Sequence, residues 1–128
     1  MLDHIIAKSK PRETLLQHTD EVAKFCKALK ALYQNELDVK DSFWDLSFIA
    51  ALFHDSGKVT SNFQDIIHGR ITNWDGHIRH EFISGMLLLG SNKKLFIENP
   101  LPLLAVFSHH KPLTDNLFSD KRQTRLKL

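Results

Sequence analysis

An all-α bundle of about five to six helices is the fold this sequence predicts, on three observations. Apolar residues recur at steps of three and four over long stretches, strand-type alternation is nearly absent, and glycines and prolines stand where such stretches end or begin. A length of 128 residues with 42% apolar and 25% charged residues fits one domain around one core. Residues 12–112 are the expected body of that single domain. Residues 113–128 form a basic segment through Lys121, Arg122, Arg125 and Lys127, read as solvated.

The elements follow in order. A first helix is predicted over 12–32, with Leu15, Val22, Phe25, Cys26, Leu29 and Leu32 on its inward stripe and Pro11 at its entrance. Asp41 or Ser42 caps a second, whose Leu46, Ile49, Ala50 and Phe53 are of buried type, and Gly57 ends it. A short helix over 63–68 leads into a polar, aperiodic loop, "GRITNWDGH". A fourth helix covers 78–89 and stops at Gly90. A fifth covers 101–110, opened by Pro100 and Pro102 and closed by Lys111 and Pro112.

Composition excludes several classes. No apolar run approaches the roughly 20 residues needed to span a bilayer, and the N-terminus lacks the apolar core of a secretory leader, so a cytoplasmic protein without a membrane partner is expected. The lone Cys26 permits no internal disulfide and argues against a zinc–cysteine site. No G-x-x-x-x-G-K-[ST] motif is present, so any strand unwinding would need a separate helicase domain or chain. A net charge of +2 is too small to identify an acidic partner, but eight histidines in 128 residues is a high count.

Five of those histidines occupy telling places. His18 lies three residues after Leu15 and four before Val22, on the inward stripe of the first helix. His54 and Asp55 sit where the second helix runs out at "ALFHDSGK", residues 51–58. His80 opens the fourth helix, and His109 with His110 closes the fifth. Singly, each is most simply a hydrogen-bonded core residue. Jointly, burying five imidazoles and a carboxylate would cost roughly 1–3 kcal/mol for each polar group left unsatisfied. A divalent cation satisfies them together, since neutral imidazole and carboxylate are its usual ligands.

"LQHTDEVA", "ALFHDSGKVTSNFQ", "RHEFISG" and "AVFSHH" together resemble the HD nuclease domain of the CRISPR-associated helicase-nuclease family of type I systems, over about residues 14–112. The resemblance implies an HD-domain helical bundle holding one or two divalent transition metal ions (Ni, Mn, Co, Fe, Mg or Zn). His18, His54 and Asp55 would ligate the first, and Asp55 would bridge to a second held by His80, His109 and His110. It also implies a catalytic, phosphate-facing Lys58, a small polar Ser84 near the metals, and metal-activated water as the nucleophile. Arg79 is a further candidate for substrate contact. The implied function is cleavage of single-stranded DNA, with RNA as a second polymer, in antiviral interference beside a helicase and a CRISPR effector complex.

The chain departs from the family in one respect. The family supplies a further ligating aspartate well downstream of the paired histidines, whereas Asp115 and Asp120 are the only acidic residues after His110 and follow it closely. The chain is therefore expected to be a fragment of a longer nuclease or a shortened homologue. A phosphohydrolase of small nucleotides and an inactive docking module stay open as alternatives. A groove lined by Lys58, Arg70 and Arg79 would favour a polymer, and a closed pocket a nucleotide. Trp44 is expected in the core. Trp74, in the polar loop beside Arg70, His77 and Arg79, is suited equally to packing and to base stacking. His4, His68 and His77 are expected at the surface.

Overall fold

The computed structural model describes residues 4–71 and 78–110. Among them a β-hairpin, β1 (Ile6–Ser9) and β2 (Arg12–Thr14), precedes six α-helices: α1 (Leu15–Tyr33), α2 (Asp41–Phe53), α3 (Ser61–Ile67), α4 (His80–Ser91), α5 (Lys93–Glu98) and α6 (Leu101–Ser108). A 3-10 turn, Ser56–Val59, joins α2 to α3. The all-α class is as predicted. Trp74, His77, Asp115, Asp120 and the basic segment lie outside the described residues.

The hairpin and α5 are additions to the predicted elements. β1 and β2 pair antiparallel with an irregularity between Ile6 and Lys8, and runs of four and three residues are too short to print an alternation. Pro11 therefore sits in the hairpin turn rather than at a helix entrance. The first helix starts instead at a capping box: Thr14 Oγ1 accepts from Gln17 N at 3.1 Å while Gln17 Oε1 accepts from Thr14 N at 3.0 Å. In α5 the cap is Asn92, whose side chain accepts from Leu95 N at 3.1 Å. The second helix is not capped by Asp41 or Ser42 as expected: Asp41 is already its first residue, and Lys40 stands in the cap position with no side-chain cap bond.

The core joins four helices: Ala50 of α2, Leu88 of α4, Phe96 of α5 and Val106 of α6 are buried together, with Leu46, Ile49, Phe53, Leu89, Leu95 and Leu103 packed around them. Trp44 is buried, as expected. α1 packs along α2 and the hairpin, and its inward stripe is narrower than the periodicity suggested. Phe25 and Leu32 are 67% and 68% exposed and belong to its outer face, while Ala23 takes the buried position.

Two contacts hold the 3-10 turn against α4. The hydroxyl of Ser84, itself fully buried, accepts from Gly57 N at 2.8 Å. A Cβ on Gly57 would lie 2.1 Å from the carbonyl oxygen of His80, so only glycine allows this approach. From the other side Gln64 ties the turn to the hairpin. Its Nε2 donates to Ile6 O (3.0 Å) and Lys58 O (2.8 Å), and its Oε1 accepts from Ile6 N (3.1 Å).

Candidate metal centre

Asp55 stands where α2 has ended and the 3-10 turn begins, and it is 2% exposed. Its two carboxylate oxygens face different partners. Oδ2 lies 3.1 Å from His18 Nε2, 3.4 Å from His54 Nε2 and 2.7 Å from Lys58 Nζ. Oδ1 lies 3.1 Å from His80 Nε2 and 3.3 Å from His109 Nε2. His110 stacks against His109 (ring centroids 4.2 Å apart) and meets the His80 ring edge-on at 5.1 Å. Two ligand groups result, His18–His54–Asp55 and Asp55–His80–His109–His110, each with its donor atoms within 4.8 Å of one another. The five histidines named from the sequence as metal-ligand candidates thus gather around the sixth candidate, Asp55.

The outer nitrogens of four of these rings have oxygen neighbours. His54 Nδ1 bonds Ala51 O at 2.7 Å and His109 Nδ1 bonds Val106 O at 2.7 Å, each one helical turn back along its own backbone. His18 Nδ1 bonds Glu13 Oε1 at 3.2 Å, and His80 Nδ1 faces Glu81 Oε2 at 3.4 Å. Carbonyls and carboxylates only accept, so the three hydrogen bonds favour a proton on Nδ1 of His18, His54 and His109 and leave each Nε2 facing the centre. His18 and His54 then present Nε2 atoms 3.3 Å apart, lone pair toward lone pair, beside Oδ2 of Asp55. His80 Nε2 is buried and hydrogen-bonds to nothing among the described residues, despite its nearness to Oδ1. Converging acceptors with one such orphan are a donor set for a cation.

The electrostatics agree. Burial disfavours the Asp55 carboxylate, but the His109 and Lys58 contacts, the nearby His80 ring and the Lys58 charge prevail and hold its pKa far below the usual carboxylate range. Burial lowers the pKa of His54 and of His110, keeping both rings neutral and available as ligands. For His109 burial acts the same way, yet its bonds to Asp55 and to Val106 O outweigh it and raise its pKa.

A family model for the HD domain matches residues 15–126, well over half the chain. The chain belongs to the HD domain family. HD domains are generally metal-dependent hydrolases that bind divalent ions, and the two donor groups around Asp55 suit that chemistry. No curated protein and no solved structure matches the chain.

Within this HD domain the remaining predicted site residues are placed differently from expectation. Ser84 does not face the ligand cluster as a substrate contact; it is sealed inside and braces Gly57. Lys58 is at the centre but turned inward, its side chain 7% exposed and its ammonium paired with Asp55. Arg79 is bound by Glu81 and Arg70 by Asp65, so the expected groove cations are engaged by carboxylates. His68 lies at the surface with its Nδ1 on Gln64 O, and His4 is exposed, both as expected.

Sequence reasoning missed Glu13 and Glu81. The Glu81 side chain is 5% exposed and bonded to Arg79, beside His80. Glu13 reaches His18 from β2, held by Lys8 Nζ at 2.7 Å. Glu81 adjoins a ligand in the quoted "RHE" and was open to detection there. Glu13, five residues before His18 and across a strand–helix junction, shares no helix face with it. No helix among the described residues is long and apolar enough to cross a membrane.

Proposed function

We propose that this HD domain is a two-ion nuclease that hydrolyses phosphodiester bonds of single-stranded DNA in CRISPR interference, working beside a helicase and an effector complex supplied by other polypeptide. The observation that carries the reading is the division of Asp55: Oδ2 toward His18 and His54, Oδ1 toward His80 and His109. A carboxylate shared between two imidazole groups is the arrangement that sets two ions side by side for displacement at phosphorus. When bound, divalent ions supply Lewis acidity, lowering the pKa of water and offsetting phosphate charge.

The protein's own groups do the rest. The Nδ1 contacts of His18, His54, His80 and His109 fix ring orientation, and Asp55 stays ionised at any physiological pH. Lys58 Nζ, 2.7 Å from Oδ2 and 5.5 Å from the Phe63 ring centroid, is a buried cation beside the place where a phosphate oxygen would arrive. The four imidazoles that face Asp55 keep 12–17% of their side chains exposed, so the centre opens to solvent. Ser84 is sealed from substrate and Ser56 Oγ is bonded to Phe53 O, so neither is placed as a nucleophile, in keeping with metal-activated water in that role.

The test is incubation with Mn²⁺, Ni²⁺ or Mg²⁺ and either a labelled single-stranded oligonucleotide or a panel of nucleotides. Strand cleavage abolished by Asp55→Ala is expected. Turnover of nucleotides alone would make this a small-molecule phosphohydrolase, and inertness of a folded, metal-loaded protein would make it a docking module.

A further inference from the structure

Both ligand groups are backed the same way. In each, one histidine leans its Nδ1 on a backbone carbonyl (His54 on Ala51, His109 on Val106) and another has a glutamate behind it (His18 hydrogen-bonded to Glu13, His80 with Glu81 Oε2 at 3.4 Å), His110 being an additional ring of the second group. Each glutamate is in turn gripped by a cation nearer the surface, Lys8 for Glu13 and Arg79 for Glu81. Glu13 and Glu81 stand on unrelated elements, β2 and α4, so the repetition is not a by-product of one local motif. Charge gives it a purpose. Asp55 is the only carboxylate in either ligand group, one negative charge against the four positive charges of two divalent ions. The two glutamates bring two more, one behind each group.

We infer that Glu13 and Glu81 are positioning residues for the two ion sites, each holding its histidine in the Nδ1–H form and adding negative charge behind one site. This rests on the metal reading of the centre and not on the identity of the substrate. A hydrogen-bonded carboxylate behind a ligating imidazole raises its basicity and fixes its orientation, and losing one typically weakens metal binding about 10–100-fold. The Glu13 contact is the shorter, so its variants give the larger effect.

The experiment titrates Ni²⁺ into wild type and the variants Glu13→Gln, Glu13→Leu and Glu81→Gln, against a competing chromogenic chelator. The exposed Glu98→Gln serves as control, and all variants are checked for native circular dichroism. In parallel, nitrogen-15 NMR of the metal-free proteins reads the His18 and His80 tautomers. Glu13→Leu is expected to weaken one site about 10–100-fold, leave the other within about 3-fold, and give His18 mixed tautomers. Glu13→Gln keeps an acceptor but not the charge, so it holds the tautomer and loses less affinity. Glu81→Gln does the same at the other site. Native folding with unchanged affinity and unchanged tautomers in Glu13→Leu would overturn the inference, as would equal weakening of both sites. If Glu13→Leu does not fold, Glu13→Gln decides: wild-type affinity there overturns the charge role. Wild type that binds no Ni²⁺ would instead bring down the metal reading itself.

Discussion

Asp55 concentrates more contacts than any other side chain of the centre, and its replacement should be felt twice. Asp55→Ala takes the shared ligand from both groups and leaves Lys58 Nζ buried without its carboxylate. Breaking a buried pair in this way costs about 3–5 kcal/mol. Loss of both bound ions by mass spectrometry of the native protein, with a lower melting temperature, is the expected pair of results. Acid should act on the same residue. A depressed carboxylate pKa contributes stability that is present above the unfolded-chain value near 3.9 and lost as pH falls below it toward the folded value. The melting temperature of the metal-free protein should therefore fall as pH drops below about 4, and less steeply in Asp55→Asn. The candidate ligands were legible in the sequence, because an ionisable pair behind "FIAALF" and imidazoles at helix termini conflict with their apolar surroundings. What Ser84 and Lys58 do was not. Their direction depends on which neighbour packs against them, Gly57 in one case and Asp55 in the other, and spacing carries no record of that.

The 3-10 turn between α2 and α3 is the element that delivers Asp55, and it is fitted to α4 with no room to spare. Gly57→Ala would drive a methyl into the backbone of His80, which overpacking places at about 1–3 kcal/mol or more. Ser84→Ala would leave the buried Gly57 N–H without an acceptor, at about 1–3 kcal/mol. Chemical denaturation should show both losses. Gly57→Ala should also weaken metal binding, because the turn and His80 carry ligands of the same group. Helices with long stripes were readable from periodicity, as α1, α2, α4 and α6 illustrate. The hairpin and α5 were not, because four, three and six residues complete too few periods, and their stability comes from Gln64, from Asn92 and from burial of Phe96.

At the scale of the molecule, the candidate ligands come from α1, the end of α2, the start of α4 and the end of α6, so bound ions would cross-link elements from His18 to His110. Ions that bind only the folded chain stabilise it by about 2.7 kcal/mol at a hundredfold excess over Kd. For a domain of this size that corresponds to a rise in melting temperature of roughly 10 °C. Thermal scans with and without Mn²⁺ or Ni²⁺, reversed by a chelator, should show it. That the imidazoles would meet was an inference from the sequence, and the fold bears it out. Spacing did not show that Arg70 and Arg79, named as cations that would line a groove for a polymer, each pair with a carboxylate within a few residues of themselves.

The division of Asp55 has a consequence for how the centre fills. If two ions bind as proposed, the first would draw electron density from the shared carboxylate and repel the second, which should then meet a poorer host. Occupancy is then anticooperative, with two separated steps in a titration, and at scarce metal half-filled molecules should predominate.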